Sequence, residues 1–116
     1  MTMQLDLFSC MGPALHSRPV QADGTVCTED EIDERIILRG RRVRLEIELA
    51  RDGPRWIFST SFSGPTGGYC YRVGRRWGQS ADSRADALHF AQNEIMMRAA
   101  SHSGFNEVPG LLEKLH

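Results

Sequence analysis

Lysine is nearly missing from this chain of 116 residues: thirteen of its fourteen basic residues are arginine. A planar guanidinium fork suits phosphates, carboxylates and aromatic rings better than a compact ammonium does, although a G- and C-rich coding sequence yields the same bias. Cysteine is scarce too. Cys10, Cys27 and Cys70 are odd in number and lack any C-x-x-C spacing, which speaks against a disulfide framework and a zinc site and points to reduced thiols in the cytoplasm. No apolar run approaches the roughly 20 residues that span a bilayer. The opening MTMQLDLF lacks the basic region and long apolar stretch of a signal peptide. Neither secretion nor membrane insertion is expected. No internal repeat or low-complexity segment is visible, and the length suits one ordinary domain with a core of its own.

Catalytic patterns are missing as well. His16, His89, His102 and His116 are scattered, and a His89–Cys70 pair has no third group to orient it, so a surface histidine and a buried cysteine are expected. The carboxylates show no paired spacing suited to acid–base or metal work. The Gly64 to Gly68 loop does not follow a phosphate-binding pattern. The chain is expected to be no enzyme, with no catalytic residue, metal or cofactor.

What the chain does have is segregated charge. Residues 1–34 hold Arg18 against seven acidic residues, residues 35–76 hold ten arginines against Glu46, Glu48 and Asp52, and the remainder is mildly acidic, so the net of −1 hides an acidic start and a basic middle. Residues 9–34 contain Ser, Gly, Pro, Thr and acidic residues without apolar periodicity, the composition of a tether. This divides the chain into a flexible N-terminal docking peptide and acidic tether over 1–33 and a globular domain over 34–116. Two features stay open: Glu31 to Ile37 could form a short helix, and the acidic run could fold back on the basic middle.

Within the domain, Val43, Leu45, Ile47 and Leu49 alternate with Arg42, Arg44, Glu46 and Glu48, the signature of a half-buried strand. Asp52 and Gly53 mark a tight turn, and Trp56, Phe58, Thr60 and Phe62 alternate along the next run. A turn centred on Asp52 and Gly53 pairs Leu49 with Trp56, Ile47 with Phe58, Leu45 with Thr60 and Val43 with Phe62, all on one side. After a loop of turn formers, Tyr69, Tyr71 and Val73 join the same apolar face. The opposite face is expected to expose Arg42, Arg44, Glu46, Glu48, Arg55, Ser59, Ser61 and Arg72. Ser83 with Asp86 resembles a capping box, and Leu88, Ala91, Ile95 and Ala99 keep helical spacing towards Gly104, which predicts a helix of about five turns. The fold class expected is therefore α+β: a three-stranded antiparallel meander packed against one long helix, with a short C-terminal helix or turn over Phe105 to Leu115.

Gln4-Leu5-Asp6-Leu7-Phe8 is the most specific pattern in the chain. It resembles the QL[SD]LF pentapeptide with which bacterial polymerases, repair enzymes and replication regulators bind the DNA sliding clamp, and all five positions match. An extended peptide of this kind places apolar anchors in a groove. The resemblance implies that Leu7 and Phe8 are those anchors, that Leu5 adds secondary contact, that Gln4 fixes register by a hydrogen bond, and that Asp6 faces outward. A bare reading of the residues leaves a first strand or an apolar tail open.

Arg39, Arg41, Arg42, Arg44, Arg55, Arg72, Arg75 and Arg76, with Trp77 available for stacking, make a candidate nucleic-acid surface. The alternative is cross-strand pairing with Glu46 and Glu48. Gly67-Gly68-Tyr69 and the stretch Gly78 to Glu94 resemble the strand, turn and helix of HicB-like antitoxin domains, with Asp86-Ala87-Leu88 in place of the usual helix motif and no intervening Pro-Asp segment. The leading expectation is a small bacterial or mobile-element accessory protein that docks on the sliding clamp and acts in DNA replication, repair or host takeover. A stand-alone nucleic-acid-binding module and an antitoxin-like or anti-defence interaction domain are the alternatives. Open strand edges leave a homodimer conceivable.

Overall fold

The structure is a computed structural model that describes residues 14–21 and 24–115. Its centre is a long hairpin. The strand Arg44–Asp52 (β3) and the strand Arg55–Gly64 (β4) pair antiparallel from Asp52 opposite Arg55 to Arg44 opposite Ser63. Gly53, at φ +63, supplies the positive φ that the turn needs, and Pro54 fills the second turn position, where it gives no ladder hydrogen bond away.

The expected register is corrected by two residues. Leu49 faces Phe58, Ile47 faces Thr60 and Leu45 faces Phe62, because the turn is centred on Gly53 and Pro54. A shift of two preserves the faces of a strand whose side chains alternate with period two, so the large apolar residues still share one side. Leu45, Ile47, Leu49, Phe58 and Phe62 are all buried there.

The three-stranded meander is also corrected: the sheet has six strands, all antiparallel. Leu15–Ser17 (β1), Glu34–Arg39 (β2) and Gln79–Ala81 (β6) join β3, β4 and Gly67–Cys70 (β5). The order is β1-β6-β4-β3-β2, with β5 beside the far end of β4. β2 alternates too, with Ile36 and Leu38 towards the core and Arg35, Ile37 and Arg39 away from it. Its run of three adjacent apolar residues hides that period. β1 and β6 are three residues long, too short to carry a period at all.

The helix Arg84–Arg98 (α1) lies on the apolar face. Ser83 caps it by accepting a hydrogen bond from the Asp86 N–H at 3.1 Å. It is shorter than five turns, since Gly104 ends a separate set of turns. Ala87, Ala91, Ile95 and Ala99 are its buried side, and three alanines let it approach a sheet already filled by Phe58 and Phe62. Val108, Leu111 and Leu112 of the short helix Val108–Leu112 (α2) close the same core.

The other face is not left to solvent. Residues 24–33 run over it, the Cys27 N–H donating to the Val73 carbonyl at 2.8 Å and the Asp33 N–H to the Leu49 carbonyl at 2.9 Å. Ala50, Ile57 and Val73 form a second, smaller core there with Cys27 and Ile32. Three expectations are corrected by this cover. Glu48 and Ser59 are buried rather than exposed, and Val73 lies on the side opposite Tyr71.

Candidate functional site

Gln4, Leu5, Asp6, Leu7 and Phe8 lie outside the described residues. The described part of the N-terminal stretch is woven into the sheet. β1 pairs with β6 through Leu15 opposite Ala81 and Ser17 opposite Gln79, and His16 Nε2 lies 2.9 Å from Asp82 Oδ1. The Arg18 N–H donates to the Gly78 carbonyl at 2.7 Å, and the Arg76 N–H donates to the Thr25 carbonyl at 3.2 Å. The acidic run does fold back on basic residues: Glu29 meets Arg35 and Arg72, and Glu34 meets Arg84.

On the covered face the polar groups converge on Glu48. Its carboxylate accepts from Arg35 Nη2 at 2.8 Å, from Ser59 Oγ at 3.1 Å and from the Val73 N–H at 3.1 Å. Burial pushes the Glu48 carboxyl up, and the hydrogen bonds from Arg35, Val73 and Ser59 together outweigh it and hold it below the ordinary carboxylate value. Arg35 is gripped by three carboxylates, those of Glu29, Glu46 and Glu48. Its hydrogen bonds to Glu29 and Glu48 raise its own pKa, so it stays charged. The same bonds hold Glu29 below its ordinary value.

The nine basic and aromatic candidates are distributed over four places. Arg39 ends β2 and Arg41 and Arg42 occupy the β2–β3 turn, where Glu107 accepts from the Arg41 N–H at 2.7 Å and from Arg42 Nε at 3.4 Å. Burial alone would raise the Glu107 carboxyl, but the bonds from Arg42 and Arg41 lower it. Arg44 and Arg72 flank an open groove of about 700 Å³ over β3, β4 and β5. Arg44 is paired with Glu46 and Arg72 with Glu29. Arg55 and Arg75 line a different cleft of about 300 Å³, together with Arg18 and Asp52. Arg76 stacks on Trp77 at 4.9 Å, and the Trp77 indole N–H donates to the Arg72 carbonyl at 2.7 Å. Cross-strand and local pairing thus neutralises Arg42, Arg44, Arg72 and Arg75. Arg39 and Arg41 have no side-chain ion pair among the described residues.

A second polar cluster lies between α1 and the sheet. Glu94 accepts from Tyr71 and from the buried Thr60 hydroxyl, Thr60 also meets the Tyr69 hydroxyl at 2.8 Å, and the Arg98 guanidinium lies 4.0 Å above the Tyr69 ring. Burial raises the Tyr71 phenol far above its ordinary value, and the hydrogen bond to the Glu94 carboxylate raises it further. The sequence signals neither cluster, because each joins residues far apart in the chain.

No protein family, curated protein or solved structure matches this chain. The residues themselves carry the functional reading. Cys70, expected buried, is exposed beside the groove over β3, β4 and β5, while His89 is on the outer side of α1 and within 3.2 Å of Asn93; the sheet separates the two. Among the described residues no three His, Cys, Asp or Glu side chains gather to hold a metal, and no helix is long and apolar enough to cross a membrane. Arg18 is the cleft residue that the sequence conceals. It stands alone in an acidic stretch without periodicity, and only the pairing of β1 with β6 brings it beside Arg55 and Arg75.

Proposed function

We propose that this protein docks on the bacterial DNA sliding clamp through Gln4 to Phe8 and serves there as a small accessory protein in DNA replication, repair or host takeover. The observation that carries this reading is the complete match of Gln4-Leu5-Asp6-Leu7-Phe8 to the clamp-binding pattern. Six residues lie between Phe8 and Leu15, the first residue of β1, a stretch that reaches at most about 25 Å from Phe8 to Leu15 if extended. A docked domain would therefore stay close to the clamp surface.

The arrangement of the arginines supports docking over a broad nucleic-acid face. Half of the ten arginines of the basic middle, Arg35, Arg42, Arg44, Arg72 and Arg75, are matched by carboxylates of the same chain, so their charge has a structural use without a polyanion. Arg39 and Arg41, unpaired among the described residues, keep a nucleic-acid-binding module as the second reading.

Purified clamp titrated with the protein, and with a Leu7→Ala, Phe8→Ala variant, tests the proposal. Loss of both anchors is expected to weaken binding by about thirtyfold or more, as for hot-spot residues. Equal binding by both forms, or binding by neither, removes it.

A further inference from the structure

We propose that the cleft between the end of β1, the start of β4 and the Arg75–Trp77 turn is a phosphate-binding site in which Arg18, Arg55 and Arg75 hold the oxygens of a phosphoryl group. The group would be carried either by a free nucleotide or by a nucleic-acid strand. The inference is independent of clamp docking, because residues 4–8 take no part in it.

Arg18, Arg55 and Arg75, from three separate segments, line this cleft of about 300 Å³ together with one acidic residue, Asp52, and the polar residues Gln79 and Ser80. Asp52 Oδ1 takes Arg75 Nε at 2.7 Å, which leaves the other Arg75 donors unspent. Asp82 is 3.9 Å from Arg55 Nε, beyond hydrogen-bond reach, and the same oxygen is 2.9 Å from His16. Arg18 has no carboxylate partner among the described residues. An anion with several acceptor oxygens, as a phosphoryl group presents, is the ligand that fits planar, fork-shaped donors supplied by three segments.

The position of Arg18 is built into the backbone. Gly78 adopts φ +75, and a Cβ there would lie 2.2 Å from the Arg18 carbonyl oxygen, so only glycine lets the two segments meet. Together with the Arg18 to Gly78 hydrogen bond, this close approach fixes the Arg18 main chain beside Gln79 and Ser80. The larger groove over β3, β4 and β5 lacks this character. Its arginines, Arg44 and Arg72, are balanced by Glu46 and Glu48 in the same lining.

The full chain is titrated with pyrophosphate and, separately, with a fluorescein-labelled single-stranded oligonucleotide, in parallel with an Arg18→Gln, Arg55→Gln variant and a Lys114→Gln control. Saturable binding is expected for at least one probe, with affinity reduced about tenfold or more in the double variant and unchanged in the control. Pyrophosphate binding without oligonucleotide binding assigns the site to free nucleotides; oligonucleotide binding that weakens steeply with salt assigns it to a strand. Amide shifts of the wild-type protein give an answer that does not depend on a folded variant: they should concentrate at Arg18, Gly78, Gln79 and Ser80. Binding of neither probe, equal binding by the double variant, or shifts confined to other segments would overturn the proposal.

Discussion

Arg35 and Glu48 stand directly opposite each other on β2 and β3, with Arg35 Nη2 2.8 Å from the buried Glu48 carboxylate. That pair ties the edge strand to the centre of the sheet, and through Ser59 and the Val73 N–H it also ties down β4 and the segment after β5. Replacing Glu48 by Ala leaves the Ser59 hydroxyl and the Val73 N–H buried without their acceptor, so chemical denaturation should show a loss of about 2–4 kcal/mol. Glu48→Gln, which keeps the shape and some of the bonding, should lose less than Glu48→Ala.

Acid should destabilise the fold by a route that includes this residue. Glu48 has a lowered pKa in the folded state, so the unfolded chain takes up its proton first as the pH falls below the ordinary value of 4.5. The stabilisation is complete above that value and is lost as the pH falls through the folded one. Glu34, lowered by its hydrogen bond from Arg84, acts in the same sense. Thermal unfolding between pH 7 and 3 should show falling stability below about pH 4.5, with a shallower decline in the Glu48→Gln variant.

Alkali should act through Tyr71. The folded state keeps its phenol protonated because of burial and the bond to Glu94, whereas the unfolded chain ionises near the ordinary value of 10. Stability therefore falls as the pH rises above 10. Absorbance at the tyrosinate band should show that neither tyrosine ionises at its ordinary pH while the protein is folded, since burial also raises Tyr69. A Glu94→Gln variant should bring the Tyr71 midpoint down.

Gly78→Ala should loosen β1. The added methyl meets the Arg18 carbonyl and the positive φ strains the alanine, together a cost of about 1–3 kcal/mol. Hydrogen exchange should report faster exchange at the Arg18 amide, with β3 and β4 unaffected if the opening is local.

The hairpin was legible in the sequence because Val43 to Leu49 and Trp56 to Phe62 repeat with period two, and an error of two residues in register does not move a side chain to the other face. The helix cap at Ser83 was legible for the same local reason. β1 and β6 were not, since three residues carry no period and their pairing spans most of the chain. Glu48 and Ser59 read as solvent-facing because polar residues at alternate positions normally are. Their burial depends on residues 24–33, whose only sequence signature is turn formers and acid. The same long-range weaving hid the cleft, in which Arg18 joins two arginines from the basic middle.

Clamp docking is tested most directly by competition. A labelled peptide of residues 1–13 is bound to purified clamp and the unlabelled full chain is added, with the Leu7→Ala, Phe8→Ala chain as the comparison. Docking through Gln4 to Phe8 predicts that the peptide binds, that the wild-type chain displaces it completely, and that the variant fails to do so over the same concentration range. A peptide that does not bind, or displacement by the variant as effective as by the wild type, would contradict it.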